Sequence, residues 1–264
     1  MRKKTDETFA IIKAREIIQF FKISQPDEIR LNDIAWSRGL IIKEAPLDSG
    51  EAWLVRKEGV EKGIIRVSEG IAEEGRKRFA IAHELGHWEL HPRISQAHLF
   101  TFGDLEFEYK NSAPELEANI FASELLMPEH LFQPICDKDN PSIHFLSEIS
   151  SVFRTSLTAT ALRFLNFCSE HCAIVFSQNG KIRRFKASKG FNFRIDVGQM
   201  VSKDSCAYDA FHDNPIPQGM QEVPYYAWFP EKARWDNCKV FEDSIIFRNY
   251  HTVMSLLWVP PEID

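Results

Sequence analysis

The chain has 264 residues, of which 44% are hydrophobic, so it can bury a sizeable core and disorder is not its dominant state. Its formal net charge of −6 gives no support to avid nonspecific binding of nucleic acid or of anionic membranes. It contains no run of about 18 uninterrupted apolar residues, which is what crossing a bilayer requires. The charged N-terminus also lacks the apolar core of a secretory signal, so we expect a cytoplasmic protein that uses no membrane partner.

The five cysteines are an odd and scattered set. Such a set fits reduced thiols better than a disulfide framework, which again favours the cytoplasm. The segment Cys168-Ser-Glu-His-Cys172 could form part of a second metal site. It lacks a matching second half and leads into an apolar strand, so ordinary buried thiols are the simpler interpretation.

The N-terminal part of the chain alternates between helical and strand-like patterns. Apolar residues at helical spacing predict helices over residues 8–22 and 29–38. Short apolar segments that begin at Leu40, Ala52 and Gly63 predict three strands. We expect these strands to form a small antiparallel sheet.

Two helices should follow this sheet, with a long loop between them. The first runs from Glu73 to His91, because Pro92 must end it. Residues 94–113 show no sustained period and carry several aromatic residues, so they predict a loop that either contacts a substrate or is pinned to the core by these rings. The second helix covers residues 115–127 and ends before Pro128.

The C-terminal half has a different character. Residues 143–153 and 156–167 predict two helices joined at Arg154, which form either a helix-turn-helix or an ordinary helical hairpin. From Cys172 onward, short apolar runs separated by Asn179-Gly180 and by prolines predict a β-rich domain.

The first of the two central helices carries His83-Glu-Leu-Gly-His87. On an α-helix four residues advance about 6 Å and rotate about 400°, so both imidazoles project from nearly the same side and can share one cation. Glu84 lies about 100° round the helix from His83, where it can reach a metal-bound water while leaving the metal to the histidines. The pattern predicts a metal-dependent hydrolase.

A hydrolytic zinc site needs a third protein ligand, and the second central helix offers one. Glu115 and Asn119 lie four residues apart on one side of this helix, so Glu115 can ligate the metal while Asn119 supports a ligand histidine. Glu117, on another side, is the competing choice. The alternative to a metal site is that the two histidines only pack in the core or cap the helix, and that Glu84 is a charge exposed to solvent.

Two further positions narrow the class of site. A metzincin would need a glycine and a histidine where this chain has Leu90 and Arg93, so that class is excluded. His91 lies one turn beyond His87, but about 12 Å along the helix axis from His83, so a structural or substrate-facing role suits it better than ligation.

Together, His83-Glu-Leu-Gly-His87 and Glu115-Leu-Glu-Ala-Asn119-Ile-Phe-Ala-Ser-Glu-Leu-Leu-Met-Pro128 closely resemble the ImmA/IrrE family of bacterial metallopeptidases, over roughly residues 10–165. The resemblance implies a zincin core, a zinc ion and cytoplasmic cleavage of a helix-turn-helix transcriptional repressor, which relieves repression in a stress or mobile-element response. It also implies that His83, His87 and Glu115 are the metal ligands and that Glu84 is the catalytic carboxylate.

We therefore expect an α+β protein with a zincin-like metallopeptidase domain over residues 1–140. A helical linker or helix-turn-helix-like segment over residues 141–170 would follow, and then a β-rich C-terminal domain over residues 171–264. This last part loosely resembles the sensor-like domains of some family members, which suggests a sensory role.

In the expected mechanism, Glu84 takes a proton from a water activated by zinc and passes it to the leaving amine. His91, His98 and Tyr109 are candidates for substrate or oxyanion contacts. Manganese is the alternative to zinc, because the selectivity of a site for one metal depends on geometry and metal availability as well as on ligand type.

Two other functions remain open at this point. In the first, the chain is a DNA-binding regulator whose segment from Ser147 to Phe167 docks on DNA. DNA binding is supported by a run of cationic residues, although such a run equally suits the solvated face of a strand. The run consists of Lys181, Arg183, Arg184, Lys186, Lys189 and Arg194. In the second, the peptidase fold serves as a non-catalytic interaction module.

Overall fold

The computed structural model describes most of the chain, namely residues 6–48, 50–56, 61–92, 112–229 and 238–260. The chain divides into two compact units, one of Met1–Phe132 with Ser150–Ala159 and the other of Gln133–Ile149 with Thr160–Asp264. The architecture is mixed α+β, with a separate sheet in each unit. The division into three domains at residues 140 and 170 stays a prediction.

The predicted elements of the N-terminal part are confirmed. The described helices of the first unit are α1 (Glu7–Phe20), α2 (Leu31–Ser37), α3 (Glu74–Leu90) and α4 (Ala113–Leu126), and its strands are β1 (Leu40–Ala45), β2 (Ala52–Arg56) and β3 (Gly63–Ser68). A short 3-10 helix covers Pro26–Glu28. Helix α5 (Glu129–Cys136), which the sequence analysis did not predict, contains the boundary between the two units. The predicted loop over residues 94–113 lies almost entirely outside the described residues.

The sheet of the first unit is mixed, so the expectation of an antiparallel sheet was wrong. Its strand order is β1-β3-β2, with β1 parallel and β2 antiparallel to β3. The central strand is β3, which has a neighbouring strand on each side. Its residues Ile65 and Val67 are wholly buried, as this central position favours. Alternation of apolar residues shows which strands have a buried face, but it does not encode their direction.

Helix α3 packs against this sheet and against α4. Its residues from Arg78 to His87 are all buried, which explains why apolar and small residues continue around the helix instead of forming one stripe. Burial on all sides also places the two histidines inside the unit, where any charge they share is shielded from water.

The start of α3 packs against the turn between helices α6 (Ile143–Phe153) and α7 (Leu157–Phe164). A Cβ atom added at Gly75 would lie 2.3 Å from the carbonyl carbon of Thr155 and 2.4 Å from the backbone nitrogen of Ser156. Beside it, Arg154 forms an ion pair with Glu74. The turn and the helix are therefore in backbone contact.

The second unit contains a five-stranded antiparallel sheet in the order β5-β4-β8-β7-β6. The strands are β4 (Cys172–Gln178), β5 (Lys181–Ala187), β6 (Gln221–Val223), β7 (Val240–Phe247) and β8 (Thr252–Trp258). Asn179 and Gly180 both have positive φ values, as a tight hairpin between β4 and β5 requires. The β-rich prediction for this half is confirmed.

A buried carboxylate joins the short helix α8 (Cys206–Phe211) to this sheet. Glu242 in β7 accepts hydrogen bonds from the backbone nitrogens of Cys206 and Ala207, from the Trp228 indole and from the Ser244 hydroxyl. Burial raises the pKa of Glu242, while these four donors act in the opposite direction. The carboxylate thus accepts hydrogen bonds from backbone N–H groups that have no partner within the first turn of α8, and it links this helix to the sheet.

None of the described helices is both long and apolar enough to span a bilayer.

The contact at Gly75 generates a test of the fold. Gly75→Ala should destabilise the protein by about 1–3 kcal/mol, because overpacking against backbone outweighs the roughly 1 kcal/mol gain in helix propensity. Urea unfolding would measure this change. Gly70→Ala is the matched control, since a Cβ there meets only the Ser68 hydroxyl at 3.5 Å. Equal stability of the two variants would contradict the close packing.

Candidate metal centre

The close approach of α3 and α4 at Gly86 brings the site together. A Cβ atom added at Gly86 would lie 3.1 Å from the Cα atom of Ala118 and 3.2 Å from its carbonyl oxygen. A glycine at this position lets the backbone of α4 come close to α3. Glu115 and Asn119, which flank Ala118, thereby face His83 and His87.

Three donor atoms converge between the two helices. The Nε2 atoms of His83 and His87 lie 3.0 Å apart, and the Glu115 Oε2 atom lies 3.2 Å from the first and 3.4 Å from the second. All three side chains are buried. In the described part of the chain, this is the group of histidine, cysteine and carboxylate residues that could hold a metal ion.

The triangle of donors fits a single cation. Donors held about 2.0–2.2 Å from one tetrahedral cation lie roughly 3.3–3.6 Å apart, and the observed edges come within a few tenths of an ångström of that spacing. Two imidazole nitrogens and one carboxylate oxygen are also the donor set of many hydrolytic zinc sites, which keep the fourth position for water or substrate. The residues present therefore fit a divalent metal of the zinc type.

Asn119 orients one of the histidines. Its Oδ1 atom lies 2.9 Å from the Nδ1 atom of His83. An amide oxygen can only accept, so the His83 Nδ1 atom carries the hydrogen, and the Nε2 atom of the neutral ring presents its lone pair to the other donors. This contact sets both the tautomer and the orientation that ligation requires.

Glu84 is wholly buried in the middle of α3, with an exposed fraction of 0%. It directly follows His83 along the chain, so the helix holds its carboxylate in the same buried region as the three donors. A carboxylate at low dielectric interacts strongly with nearby charge, which suits proton transfer beside a cation.

Glu117 and His91 contact each other and backbone atoms outside the donor triangle, although the ring centroids of His87 and His91 lie 5.3 Å apart. The Oε1 atom of Glu117 accepts a hydrogen bond from the Asp6 backbone nitrogen, and its Oε2 atom lies 3.7 Å from the Nε2 atom of His91. The His91 Nε2 atom also lies 3.1 Å from the carbonyl oxygen of Pro114. The group of described residues that could hold a metal ion includes Glu115 and not Glu117, so Glu115 stays the predicted ligand, and the role of His91 stays a prediction.

Arg56 holds the C-terminal end of α3 and was missed by the sequence analysis. Its guanidinium donates hydrogen bonds to the carbonyl oxygens of Trp88 and His91 and lies over the Trp88 ring. Burial lowers the pKa of Arg56, and the charge of Glu89 offsets part of this effect. An isolated arginine in a strand carries no sequence signal for a contact with a helix 32 residues later. The two loop candidates His98 and Tyr109 lie outside the described residues.

The predicted DNA-binding elements are largely engaged within their own units. Helix α7 has no exposed residue, and Arg163 lies over the Phe167 ring. In the cationic run, Arg184 lies over the Phe176 ring and Lys186 donates to the carbonyl oxygen of Leu162. DNA binding through this region stays a prediction that the burial of α7 does not favour.

Comparison with known proteins agrees with this geometry. Residues 37–165 match the family model "Peptidase_M78: IrrE N-terminal-like domain". This segment belongs to the ImmA/IrrE family. It spans the whole donor triangle and Glu84, so the ImmA/IrrE resemblance expected from the two helix motifs is confirmed.

No curated protein matches the chain significantly. Among solved structures, a Mycobacterium tuberculosis transcriptional regulator is similar, with a TM-score of 0.58 and 14% sequence identity. The similarity covers 97% of this chain and 77% of that one. At this identity the likeness concerns the fold, which is shared across both units.

The choice between Glu115 and Glu117 can be tested directly. Glu115→Gln should lower zinc affinity by at least about 100-fold, because it removes the charged oxygen donor of the triangle. Glu117→Gln is the matched control on the same helix and should retain wild-type affinity. Competition with a chromophoric chelator would measure both. Loss of zinc from the Glu117 variant alone would exclude Glu115 as the ligand.

Proposed function

We propose that this protein is a zinc-dependent endopeptidase that cleaves a helix-turn-helix transcriptional repressor. The convergence of His83, His87 and Glu115 beside the buried Glu84 is the observation that carries this proposal. The ImmA/IrrE domain supports peptidase chemistry. The cytoplasm is the proposed compartment, and the absence of any disulfide among the five cysteines is consistent with it.

In this proposal each residue has one task. His83, His87 and Glu115 hold the cation, and Asn119 keeps the His83 ring in the orientation that ligation needs. When bound, zinc acts as a Lewis acid that polarises the scissile carbonyl and makes water a stronger nucleophile at neutral pH. Glu84 accepts the proton of the attacking water on its carboxylate and delivers it to the nitrogen of the leaving amine.

The burial of the site contributes to this chemistry. Charges in a site that excludes bulk water interact more strongly than charges at a surface. The helices α3 and α4 also hold the acid–base group and the donors on rigid elements, so little reorganisation is needed during proton transfer. The donors are buried, so the substrate has to be a segment of polypeptide that can extend into the site, which suits an endopeptidase acting on a flexible segment.

A repressor is the proposed substrate because two findings point to gene regulation. The ImmA/IrrE resemblance implies such a substrate, and the similar solved structure is named a transcriptional regulator. The sheet unit from β4 to β8 would then carry the sensory role expected from the sequence. Metal analysis of the purified protein would distinguish zinc from manganese.

Replacement of the general base tests the reaction. Glu84→Gln should keep the metal and lower cleavage by at least about 100-fold, because the amide cannot take the proton of water. The assay would combine metal quantification with cleavage of a repressor encoded nearby in the genome. If the variant cleaved at the wild-type rate, the hydrolase mechanism would be lost.

The support of His83 by Asn119 gives an independent test. Asn119→Ala should weaken zinc binding by about 10–100-fold, because the ring loses the acceptor that sets its tautomer. Ser123→Ala, one turn further along α4, is the matched control and should leave affinity unchanged. A chelator competition at constant pH would measure both. Unchanged affinity in the Asn119 variant would show that packing alone orients the ring.

A further inference from the structure

The sheet of the first unit has an outer face that carries an ordered pattern of side chains. The strand register aligns Ile41 with Ile64 and Ile64 with Val55, so these three aliphatic residues form one row across the sheet. The next row on the same face aligns Lys43, Arg66 and Trp53. Their neighbours along each strand, such as Leu54 and Ile65, point to the opposite, buried face.

The aliphatic row is open to solvent and lies in a shallow depression. Ile41 is 44% exposed and Val55 is 42% exposed, and Trp36, beside them, is 72% exposed. Together with Ile64 and Lys62 these residues line a depression of about 440 Å³. A contiguous apolar patch with a polar border on a protein surface is typical of a binding site.

The charges on this face have one sign. Its strand positions include Lys43 and Arg66 and no carboxylate, although the chain as a whole carries a net charge of −6. Neither cation forms an ion pair within the part of the chain that the structure describes, and the same holds for Lys62 at the edge of the depression. A partner with carboxylates would therefore find three cations available.

We propose that this outer face docks an acidic amphipathic helix of the protein substrate. The apolar side of such a helix would cover Trp36, Ile41, Ile64 and Val55, and carboxylates flanking that side would face Lys43, Arg66 and Lys62. The identity of the occupant as substrate rests on the proposed function, whereas the docking itself does not. Complementary charge at the border would add specificity and speed of association to the apolar contact.

A helix fits this face better than a nucleic acid. Sheets in mixed α/β folds bury their faces under helices, and in this unit α3 packs against β2 and β3 while α2 contacts β1. The centre of the patch is the aliphatic row of Ile41, Ile64 and Val55, which offers no ring on which a base could stack. Trp36 and Trp53 lie beside this row, so single-stranded DNA is a comparison ligand in the test. An apolar row with cations beside it instead matches the way an amphipathic helix binds a groove.

The position of this face also suits substrate capture. The donor triangle lies on α3 and α4, and α3 packs against strands β2 and β3 of the same sheet. A helix bound to the outer face leaves those elements uncovered. One segment of a substrate could thus be held by the sheet while another reaches the donor triangle.

The test measures binding of a defined probe to the full chain. The probe is a fluorescein-labelled helical peptide of about 18 residues, roughly 27 Å long, with leucine on one side and glutamate on both flanks. A peptide with lysine in place of glutamate and a single-stranded DNA of equal negative charge serve as comparison ligands. Fluorescence anisotropy gives the affinities. We expect the glutamate peptide to bind at least about tenfold more tightly than either comparison ligand.

Two double variants locate the binding. Lys43→Glu with Arg66→Glu should weaken binding of the glutamate peptide by about tenfold or more, because like charges at an interface repel. Ile41→Ser with Val55→Ser should weaken it by a similar factor through lost apolar contact. Lys181→Glu with Arg183→Glu, which makes the same charge change on the exposed strand β5, is the matched control and should bind like wild type.

Several results would overturn the proposal. These are tighter binding of the DNA than of the peptide, equal binding by the charge-reversed and control variants, or dimers of the chain that dissociate in the Ile41 and Val55 variant. If the charge-reversed variant does not fold, a salt titration of wild type replaces it, and affinity that is independent of salt counts against the proposal. Because the assay involves no cleavage and no metal, its failure is distinguishable from failure of the proposed peptidase activity.

Discussion

The close contact of α3 with α4 at Gly86 is the constraint on which the metal centre depends. A Cβ atom at that position would lie 3.1–3.2 Å from backbone atoms of Ala118, closer than an ordinary van der Waals contact, so α4 would have to shift by a few tenths of an ångström. The edges of the donor triangle are 3.0–3.4 Å long, so the spacing of the two helices sets how far Glu115 lies from both histidines. The glycine inside the histidine motif is therefore part of the site, although it offers no donor atom.

Burial of the polar groups in this region makes their mutual arrangement important. Two imidazoles and several carboxylates lie inside the first unit, where an uncompensated charge would cost several kcal/mol. Asn119, the Asp6 backbone and the Pro114 carbonyl each satisfy one of these groups. These specific neighbours help to keep the three polar groups in an apolar surrounding, and binding of a cation in such a centre is coupled to stability.

The two faces of the sheet in the first unit have different surroundings. Its inner face buries Leu54 and Ile65 and supports α3, which carries the histidines. Its outer face presents aliphatic and cationic rows to solvent. Under the proposed function, α3 with its donor residues on one side and the proposed docking surface on the other would let one small sheet serve both substrate binding and cleavage.

The sequence by itself determined the helices and strands of the first unit, the histidine pair and the ImmA/IrrE resemblance, because these depend on local periodicity and short spacing. It left Glu115 and Glu117 as alternatives, and it did not show the cap that Arg56 forms on α3. Only the tertiary structure brought Glu115 rather than Glu117 beside the two histidines and placed Arg56 on the end of α3, and it also made β1 parallel to β3. The physical reason is that each of them depends on the crossing of elements far apart in sequence, and hydrophobic periodicity shows which side of an element is buried but not which partner covers it.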